Sequence, residues 1–221
     1  MPLIILAMSL IALLSMGCAK GAEKPPGQNP SQVEQTPGKQ PSDNNKPSEN
    51  VQKPGQYFPL VKGTVWEYQG EGNEYATFNR EVLFNRDNRA QIKEDNGGTV
   101  MAMIFETTDD AVTRVFRQGE VYEKTNLLDK PSNEKLIILK TPLKKGTQWK
   151  DSSGDREIVD VNATVETPAG KFEKCIKVKI AGQDSTLYEY YKDGVGMVKR
   201  EFISGDSTIT STLKKYVPGK S

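Results

Sequence analysis

The fold is decided by residues 59–68, PLVKGTVWEY, in which a turn leads directly into a strand. The proline enters the turn and Gly63 closes it, because proline fixes φ and glycine tolerates positive φ. Trp66 is the first large inward residue of the strand that follows. The pattern P-L-x-K-G-T-x-W at 59–66 returns 83 residues later, at 142–149. A repeat that includes the rare tryptophan predicts a domain of two related halves, each of roughly eighty residues.

Residues 57–221 predict an all-β domain. Both tryptophans, all eight tyrosines and all seven phenylalanines fall in this region. Apolar and polar residues alternate with the period of two that is typical of strands, and Gly, Asn and Asp separate the alternating segments as in hairpins. We predict a single antiparallel sheet, strongly twisted or barrel-like, with little helix. Its predicted strands are 64–68, 75–84, 89–93, 99–107, 112–117, 121–125, 135–140, 156–165, 174–180, 187–192, 196–203 and 208–216.

The composition excludes several classes of function. The chain has no histidine among its 221 residues, so Ser-His-Asp catalysis, histidine-ligated zinc and imidazole proton transfer cannot take place within it. Its 30 basic and 29 acidic residues leave a formal net charge of +1, which provides no excess of positive charge for nucleic acid. We expect no nucleic-acid partner, cofactor, metal or catalytic residue, and a carboxylate-based hydrolase is a distant alternative.

Residues 1–17 are predicted to be a lipoprotein signal peptide. The uncharged apolar run at 2–16 is too short to span a membrane but suits a signal-peptide core. The hexapeptide LLSMGC, which ends at Cys18, resembles the bacterial lipobox, and this resemblance implies lipidation of Cys18. Ser15 and Met16 depart from the family pattern, which has leucine and a small residue at these positions, and no Lys or Arg precedes the apolar run. Ordinary secretory cleavage before an unmodified cysteine is the alternative.

Residues 18–56 are predicted to be a disordered tether that starts at the lipidated Cys18. The segment is rich in proline and glutamine and contains no aromatic residue, so it cannot bury a core. A proline-rich segment that docks on a partner is the alternative interpretation. Signal peptide and tether together predict a lipid-anchored protein on the extracytoplasmic face of the cell membrane, with the bilayer as the partner of Cys18.

Three motifs of the β-domain resemble those of a known group of proteins. They are YFPL..G..W.Y at 57–68, TPAGKF at 167–172 and YKDGVGMVK at 191–199. They look like motifs of uncharacterised bacterial envelope lipoproteins, largely from Firmicutes, over most of residues 57–221. The resemblance implies a fold similar to the curved antiparallel sheets of lipoprotein carriers, which shelter apolar ligands on a concave face. It implies no catalytic activity.

Five aromatic residues are the candidates for ligand binding: Trp66, Tyr68, Trp149, Tyr188 and Tyr190. The two tryptophans are large inward residues that either anchor the core or line a ligand cavity. The two later tyrosines belong to a Tyr-Glu-Tyr-Tyr run, which suits either a two-sided core or an aromatic binding surface. Packing in the core is the alternative for all five.

The remaining reactive groups are expected to be structural. Cys175 lies in a predicted strand, and no histidine is present to lower its pKa, so we expect a buried, inert thiol without a disulfide partner. The acidic clusters at 106–110 and 151–155 lack the ligand spacing of a calcium loop and are expected to be solvated turns.

The sequence as a whole predicts a membrane-anchored lipoprotein whose β-domain binds an apolar or cell-envelope ligand without catalysis. The export signal, the tether and the aromatic-rich sheet favour this function. The alternative is a structural module that binds another envelope protein, for example through an exposed sheet edge.

Overall fold

Twelve antiparallel strands form one nearly closed, barrel-like sheet in the computed structural model, which describes residues 52–151 and 153–220. This confirms the predicted fold class. The helical segments of the described residues are two short 3-10 helices, Pro54–Tyr57 and Glu74–Ala76. The strands are β1 (Val65–Glu71), β2 (Phe78–Arg86), β3 (Arg89–Asp95), β4 (Val100–Thr107), β5 (Ala111–Gln118), β6 (Leu136–Lys140), β7 (Gln148–Asp151), β8 (Gly154–Thr167), β9 (Gly170–Ala181), β10 (Thr186–Lys192), β11 (Gly196–Ser204) and β12 (Ser207–Val217).

The predicted signal peptide, Cys18 and most of the tether lie outside the described residues. The last residues that we assigned to the tether are structured, because Pro54–Tyr57 is a 3-10 helix. Lys53, just before this helix, forms an exposed ion pair with Asp109 at 2.7 Å between Nζ and Oδ1. The described domain therefore includes a few residues before Tyr57.

The order of the strands shows how the two halves of the domain join. Along the sheet it is β6-β5-β4-β3-β2-β1-β12-β11-β10-β9-β8-β7. Strands that are neighbours in the chain pair as hairpins, except β6 and β7. In addition, β1 pairs with β12 through a ladder that has one bulge, between Glu67 and Tyr68. The other two terminal strands of the halves, β6 and β7, are the edges of the sheet. Each P-L-x-K-G-T-x-W motif precedes or enters the first strand of its half, β1 or β7.

The two repeat turns share one backbone geometry. Gly63 and Gly146 have φ values of 82° and 87°, in the left-handed region that glycine adopts without steric cost. Each glycine N–H donates to a carbonyl of the second strand after the turn at 2.8 Å, the acceptor being Val82 of β2 for the first turn and Ile158 of β8 for the second. The repeat that the sequence shows is thus a repeat of structure at these two turns.

The main core lies largely inside the sheet and receives buried side chains from all twelve strands. A second, smaller core lies on the outer face of β4 and β5, where Leu127 and Leu128 of the β5–β6 connection cover Ile104 and Phe116. Burial on both faces of β4 explains why its first six residues, VMAMIF, are a continuous run of apolar residues.

The predicted strand at 121–125 is wrong, because this segment belongs to the β5–β6 connection. Gln91, which is 1% exposed, accepts a hydrogen bond from Leu127 N at 2.7 Å and donates one to Thr125 O at 2.9 Å. These bonds fix the connection on the outer face of the sheet in place of strand pairing. The predicted strand at 75–84 starts later, at Phe78, because the 3-10 turn of Glu74–Ala76 comes first.

Candidate functional site

A cavity of about 220 Å³ lies inside the sheet beside the opening between the two edge strands. Leu136 and Ile138 of β6 form one side of it, and Ser153 and Arg156 of the β7–β8 hairpin form another. We call this space the interior cavity. Because it touches strands of both halves, it exists only in the assembled sheet.

The apolar wall of the interior cavity starts with the first described segment of the chain. Phe58 directly follows the 3-10 helix and packs against Phe105, with 4.9 Å between ring centroids, and against Tyr191, with 6.4 Å. Gly194 N donates a hydrogen bond of 2.8 Å to Gln56 O, which fixes the segment to the β10–β11 turn. The segment that leads from the tether into the domain therefore forms part of the cavity wall.

Four arginines and one glutamate line the polar part of the cavity: Arg80, Arg114, Arg156, Arg200 and Glu189. The repeat accounts for two of them. Arg80 of β2 pairs across the strands with Trp66, and Arg156 of β8 pairs in the same way with Trp149. Each half thus directs one arginine inward beside its motif tryptophan.

In the first half, Arg80 is bound by a single carboxylate. Its Nε donates to Oε2 of Glu94 at 2.7 Å, and its guanidinium carbon lies 5.1 Å from the centroid of the Phe78 ring. Arg80 is only 8% exposed, so this ion pair and the cation–π contact replace most of its hydration.

In the second half, Arg156 lies between two carboxylates. Its side chain is 4% exposed, with Nε 2.9 Å from Asp151 Oδ2 and Nη1 3.5 Å from Glu189 Oε2. Arg200, which pairs with Glu189 across β10 and β11, places Nη2 3.4 Å from Glu189 Oε1. Tyr191 donates its hydroxyl proton to Glu189 Oε2 at 2.7 Å. We call Arg80, Glu94, Asp151, Arg156, Glu189 and Arg200 the interior charge cluster.

The guanidinium groups keep the buried carboxylates ionised. Burial by itself raises the pKa of Glu189, but Arg200, Arg156, the Tyr191 hydroxyl and Arg80 together outweigh burial, so the pKa lies below its ordinary value. The pKa of Glu94 is likewise lowered against the effect of burial, mainly by Arg80 and Arg200. The arginines therefore stabilise the negative charges of these two carboxylates where they lie.

The cluster has more N–H donors than it uses within the described residues. Three enclosed N–H donors, Arg156 Nε and Nη1 and Arg200 Nε, have no hydrogen-bond partner there, against one such acceptor, Asp151 Oδ2, which lies 2.9 Å from Arg156 Nε. Burying ion pairs costs desolvation free energy that apolar residues of similar size would not require. Such a cluster is a candidate functional site because it is not the most stable way to fill the interior.

The structure does not bring the five predicted ligand-binding aromatics together. Trp66 and Tyr68 are 4% and 2% exposed and border a recess of about 10 Å³, which has room for about one water molecule. Trp149 is also buried, and its indole N–H donates to Ile137 O of β6 at 3.0 Å. Its hydrogen bond joins the two edge strands.

The other two predicted aromatics, Tyr188 and Tyr190, lie on the outer face of β10, because Leu187 and Glu189 between and beside them line the interior cavity. Lys177 covers both rings, with Nζ at 4.1 Å and 5.2 Å from the two centroids. The aromatic run therefore serves two faces of the sheet, and Tyr191 faces inward with Glu189 because residues two apart in a strand lie on the same face.

The reasoning from sequence missed the arginines of the interior charge cluster. The candidates for ligand binding were all aromatic, and no arginine was among them. The signal that could have revealed Arg80 is its register, since Phe78 and Val82 flank it at two-residue spacing and both are buried. The same signal applies to Glu189, which is two residues from Leu187 and therefore lies on the same face of β10.

Other candidate groups have structural partners. Cys175 is fully buried, and burial raises the pKa of its thiol to about 11. Asp155 forms an ion pair with Lys150 at 3.2 Å, and Asp110 accepts a hydrogen bond from the Thr141 hydroxyl at 3.1 Å. Within residues 52–151 and 153–220, no cluster of three or more Cys, Asp or Glu side chains has the arrangement of a metal site.

A larger recess of about 440 Å³ lies at edge strand β7. Its lining includes Lys150, Asp155, Glu157 and Lys179, long side chains that are exposed or partly exposed. Arg156 lines both this recess and the interior cavity, whereas Arg200 lines only the interior cavity. Residues 52–151 and 153–220, which the structure describes, contain no helix that is long and apolar enough to cross a membrane.

Comparisons with known proteins give structural matches alone. No family model matches the chain, and no curated protein matches it significantly. Among solved structures, it is similar to a "putative exported protein with YmcC-like fold" from Bacteroides fragilis, with 14% identity, a TM-score of 0.43 and coverage of 71% of this chain and 96% of the other. It is also similar to a "putative lipoprotein" from Parabacteroides distasonis, with 15% identity, a TM-score of 0.43 and coverage of 73% and 98%. At this level of similarity the matches carry no argument about function.

Proposed function

We propose that the protein is an extracytoplasmic lipoprotein whose anchored β-domain binds a small ligand in the interior cavity without transforming it. The observation that carries this proposal is the interior cavity, where enclosed arginine N–H groups lie beside apolar side chains. Apolar walls with a few converging polar groups are typical of small-molecule sites. The signal peptide, the lipobox-like sequence before Cys18 and the tether support the location.

The volume of the cavity favours a ligand that is smaller than the apolar cargo of a lipid carrier. Ligand sites usually measure about 300–1,000 Å³, whereas the interior cavity measures about 220 Å³. A ligand that enters through the β6–β7 opening would contact Leu136 and Ile138 on the way to the arginines.

Intact-mass measurement of the protein from native membranes tests both parts of the proposal. We expect a diacylglyceryl mass on the wild type and its loss in Cys18→Ala. Under native conditions we expect a further non-covalent adduct that disappears when the domain is unfolded. A wild-type protein with neither mass would contradict the proposal.

A structural module that binds another envelope protein is the second candidate. The edge strands β6 and β7, with five and four residues, present backbone groups that a partner strand could pair with. Crosslinking in intact cells separates the two functions: a stoichiometric protein partner attached at β6 or β7, without a small-molecule adduct, would favour the module.

A further inference from the structure

We propose that the ligand of the interior cavity is an organic anion, whose charged group binds Arg156 and Arg200 and whose apolar part lies against Phe58 and Phe105. The inference rests on the proposed binding function and names the chemistry of its ligand.

The first argument is the mismatch between donors and acceptors. Arg156 Nε and Nη1 and Arg200 Nε are enclosed donors without a hydrogen-bond partner among the described residues. The carboxylate of Glu189 is already engaged, because Oε2 accepts from Tyr191 and faces Arg156 while Oε1 faces Arg200. Apart from Asp151 Oδ2, which faces Arg156 Nε, the groups that remain for a ligand are N–H donors, so a ligand that pairs with them supplies acceptor oxygens.

The second argument is the sign of the field. Glu189 stays ionised although it is buried, because the surrounding arginines stabilise its negative charge more than burial disfavours it. Four arginines and one glutamate line the cavity, so an anionic group beside Arg200 is favoured there over a cation. A neutral apolar molecule would leave the enclosed donors unpaired, which is unfavourable in a site with little water.

The third argument is the shape of the surroundings. The wall beside the arginines is apolar and includes Phe58, Phe105, Leu136 and Ile138. A ligand that is only an inorganic ion would leave this wall in contact with water, whereas a short hydrocarbon on the anion covers it. The volume of about 220 Å³ suits a chain of a few carbons.

Three probes of equal chain length separate charge from apolar contact: hexanoate, hexyl phosphate and hexanol. The full-length protein is placed in phosphatidylcholine nanodiscs, and binding is measured by isothermal titration calorimetry, with empty nanodiscs as the blank. We expect at least one anion to bind about tenfold or more tightly than hexanol. The ratio of hexanoate to hexyl phosphate tells whether the natural anionic group is a carboxylate or a phosphate.

Two substitutions in the cluster have opposite expected effects. Arg200→Gln removes one cation from the site and should weaken binding of the better anion about tenfold or more. Glu189→Gln removes the competing carboxylate and should strengthen it. Arg117→Gln is the matched control, because Arg117 is exposed and its side chain lies outside the cavity. This variant should bind the better anion with the affinity of the wild type. Circular dichroism checks that each variant is folded, and Glu189→Gln tests the inference if Arg200→Gln does not fold.

The outcomes distinguish failure of this inference from failure of the binding function. Hexanol binding as tightly as the anions, with no change in either cluster variant, would overturn the anion assignment and leave a binding protein for neutral ligands. No binding of any probe, together with no adduct on the native protein, would overturn the binding function itself.

Discussion

Trp66 and Trp149 occupy the same position in the two repeats, but they lie in different surroundings in the sheet. Trp66 is paired on both sides, with Tyr216 of β12 and Arg80 of β2, and its indole N–H donates to Val195 O at 2.6 Å. Trp149 is paired with Arg156 of β8 and faces the opening on its other side, where its N–H reaches Ile137 O of β6. The junction between β1 and β12 is therefore a backbone ladder. Across the junction between β6 and β7, the contact is the side-chain hydrogen bond of Trp149.

The difference between the two junctions explains where the candidate site lies. The interior cavity lies beside the open junction, between β6 and the β7–β8 hairpin. A closed ladder at that junction would leave no way for a ligand to enter between the two halves. The two tryptophans therefore give matched positions at which the closed and the open junction can be compared.

The largest expected effect is the loss of Trp66. Trp66→Ala should lower the free energy of unfolding by about 3–5 kcal/mol, because the buried ring leaves a cavity that a paired ladder cannot close. Trp149→Ala should cost at least about 1 kcal/mol less, because an edge strand can shift into the space. Urea unfolding of both variants measures the difference, and equal costs would show that the open junction is as rigid as the ladder.

Acid should lower the stability of the protein by protonating carboxylates of the interior charge cluster. The folded-state pKa values of Glu94 and Glu189 lie below the ordinary value of 4.5. Their contribution to stability is therefore complete above pH 4.5 and is lost as the pH falls from there through the folded-state pKa values.

We expect the free energy of unfolding to decline below that pH, and the decline to be flatter in Glu94→Gln and in Glu189→Gln. Urea titrations between pH 3 and pH 7, a range of about four units chosen to include the ordinary carboxyl pKa, measure the slope. The exposed Glu123→Gln is the control and should keep the wild-type slope. An unchanged slope in both cluster variants would contradict the assignment of the pH dependence to these carboxylates.

The motif threonines should differ by about one hydrogen bond. The Thr64 hydroxyl donates to Val61 O at 2.7 Å and accepts from Gly219 N at 3.0 Å, whereas the Thr147 hydroxyl donates to Pro142 O at 2.6 Å. Thr64→Val should therefore cost about 2 kcal/mol and Thr147→Val about 1 kcal/mol. Thermal unfolding of the two variants tests the order, and the reverse order would mean that the contact with Gly219 contributes no stability.

The smallest difference is expected at the motif glycines. An added Cβ meets no atom within 4 Å at Gly63 or Gly146, so the cost of alanine comes from the left-handed backbone alone, about 1–2 kcal/mol at each position. Equal losses in Gly63→Ala and Gly146→Ala, measured by urea unfolding, would confirm that the two turns are equivalent. Unequal losses would show that the surroundings alter even the backbone of the turn.

Much of the fold could be predicted from the sequence because strand alternation and turn residues act locally. The failure at 121–125 has a tertiary cause, since Gln91 binds that connection from another strand. Alternation alone also divides the Tyr-Glu-Tyr-Tyr run between the two faces, because Glu189 and Tyr191 are two residues apart, as are Tyr188 and Tyr190. The run does not reveal which of the two faces lies inside the sheet.

The candidate site could be predicted much less well. The sequence indicates aromatic residues as anchors, and the structure buries Trp66, Tyr68 and Trp149 without gathering them around the interior cavity. The arginines that line it come from β2, β5, β8 and β11, and no local pattern joins strands so far apart in the chain.

The sequence by itself determined most of the strands and the two matching turns, because each depends on residues that are neighbours in the chain. It also excluded histidine chemistry through composition alone. Only the tertiary structure decided which junction is closed, and which charged side chains share the interior. Both depend on the order in which strands pair, and that order results from packing the whole core rather than from any single segment.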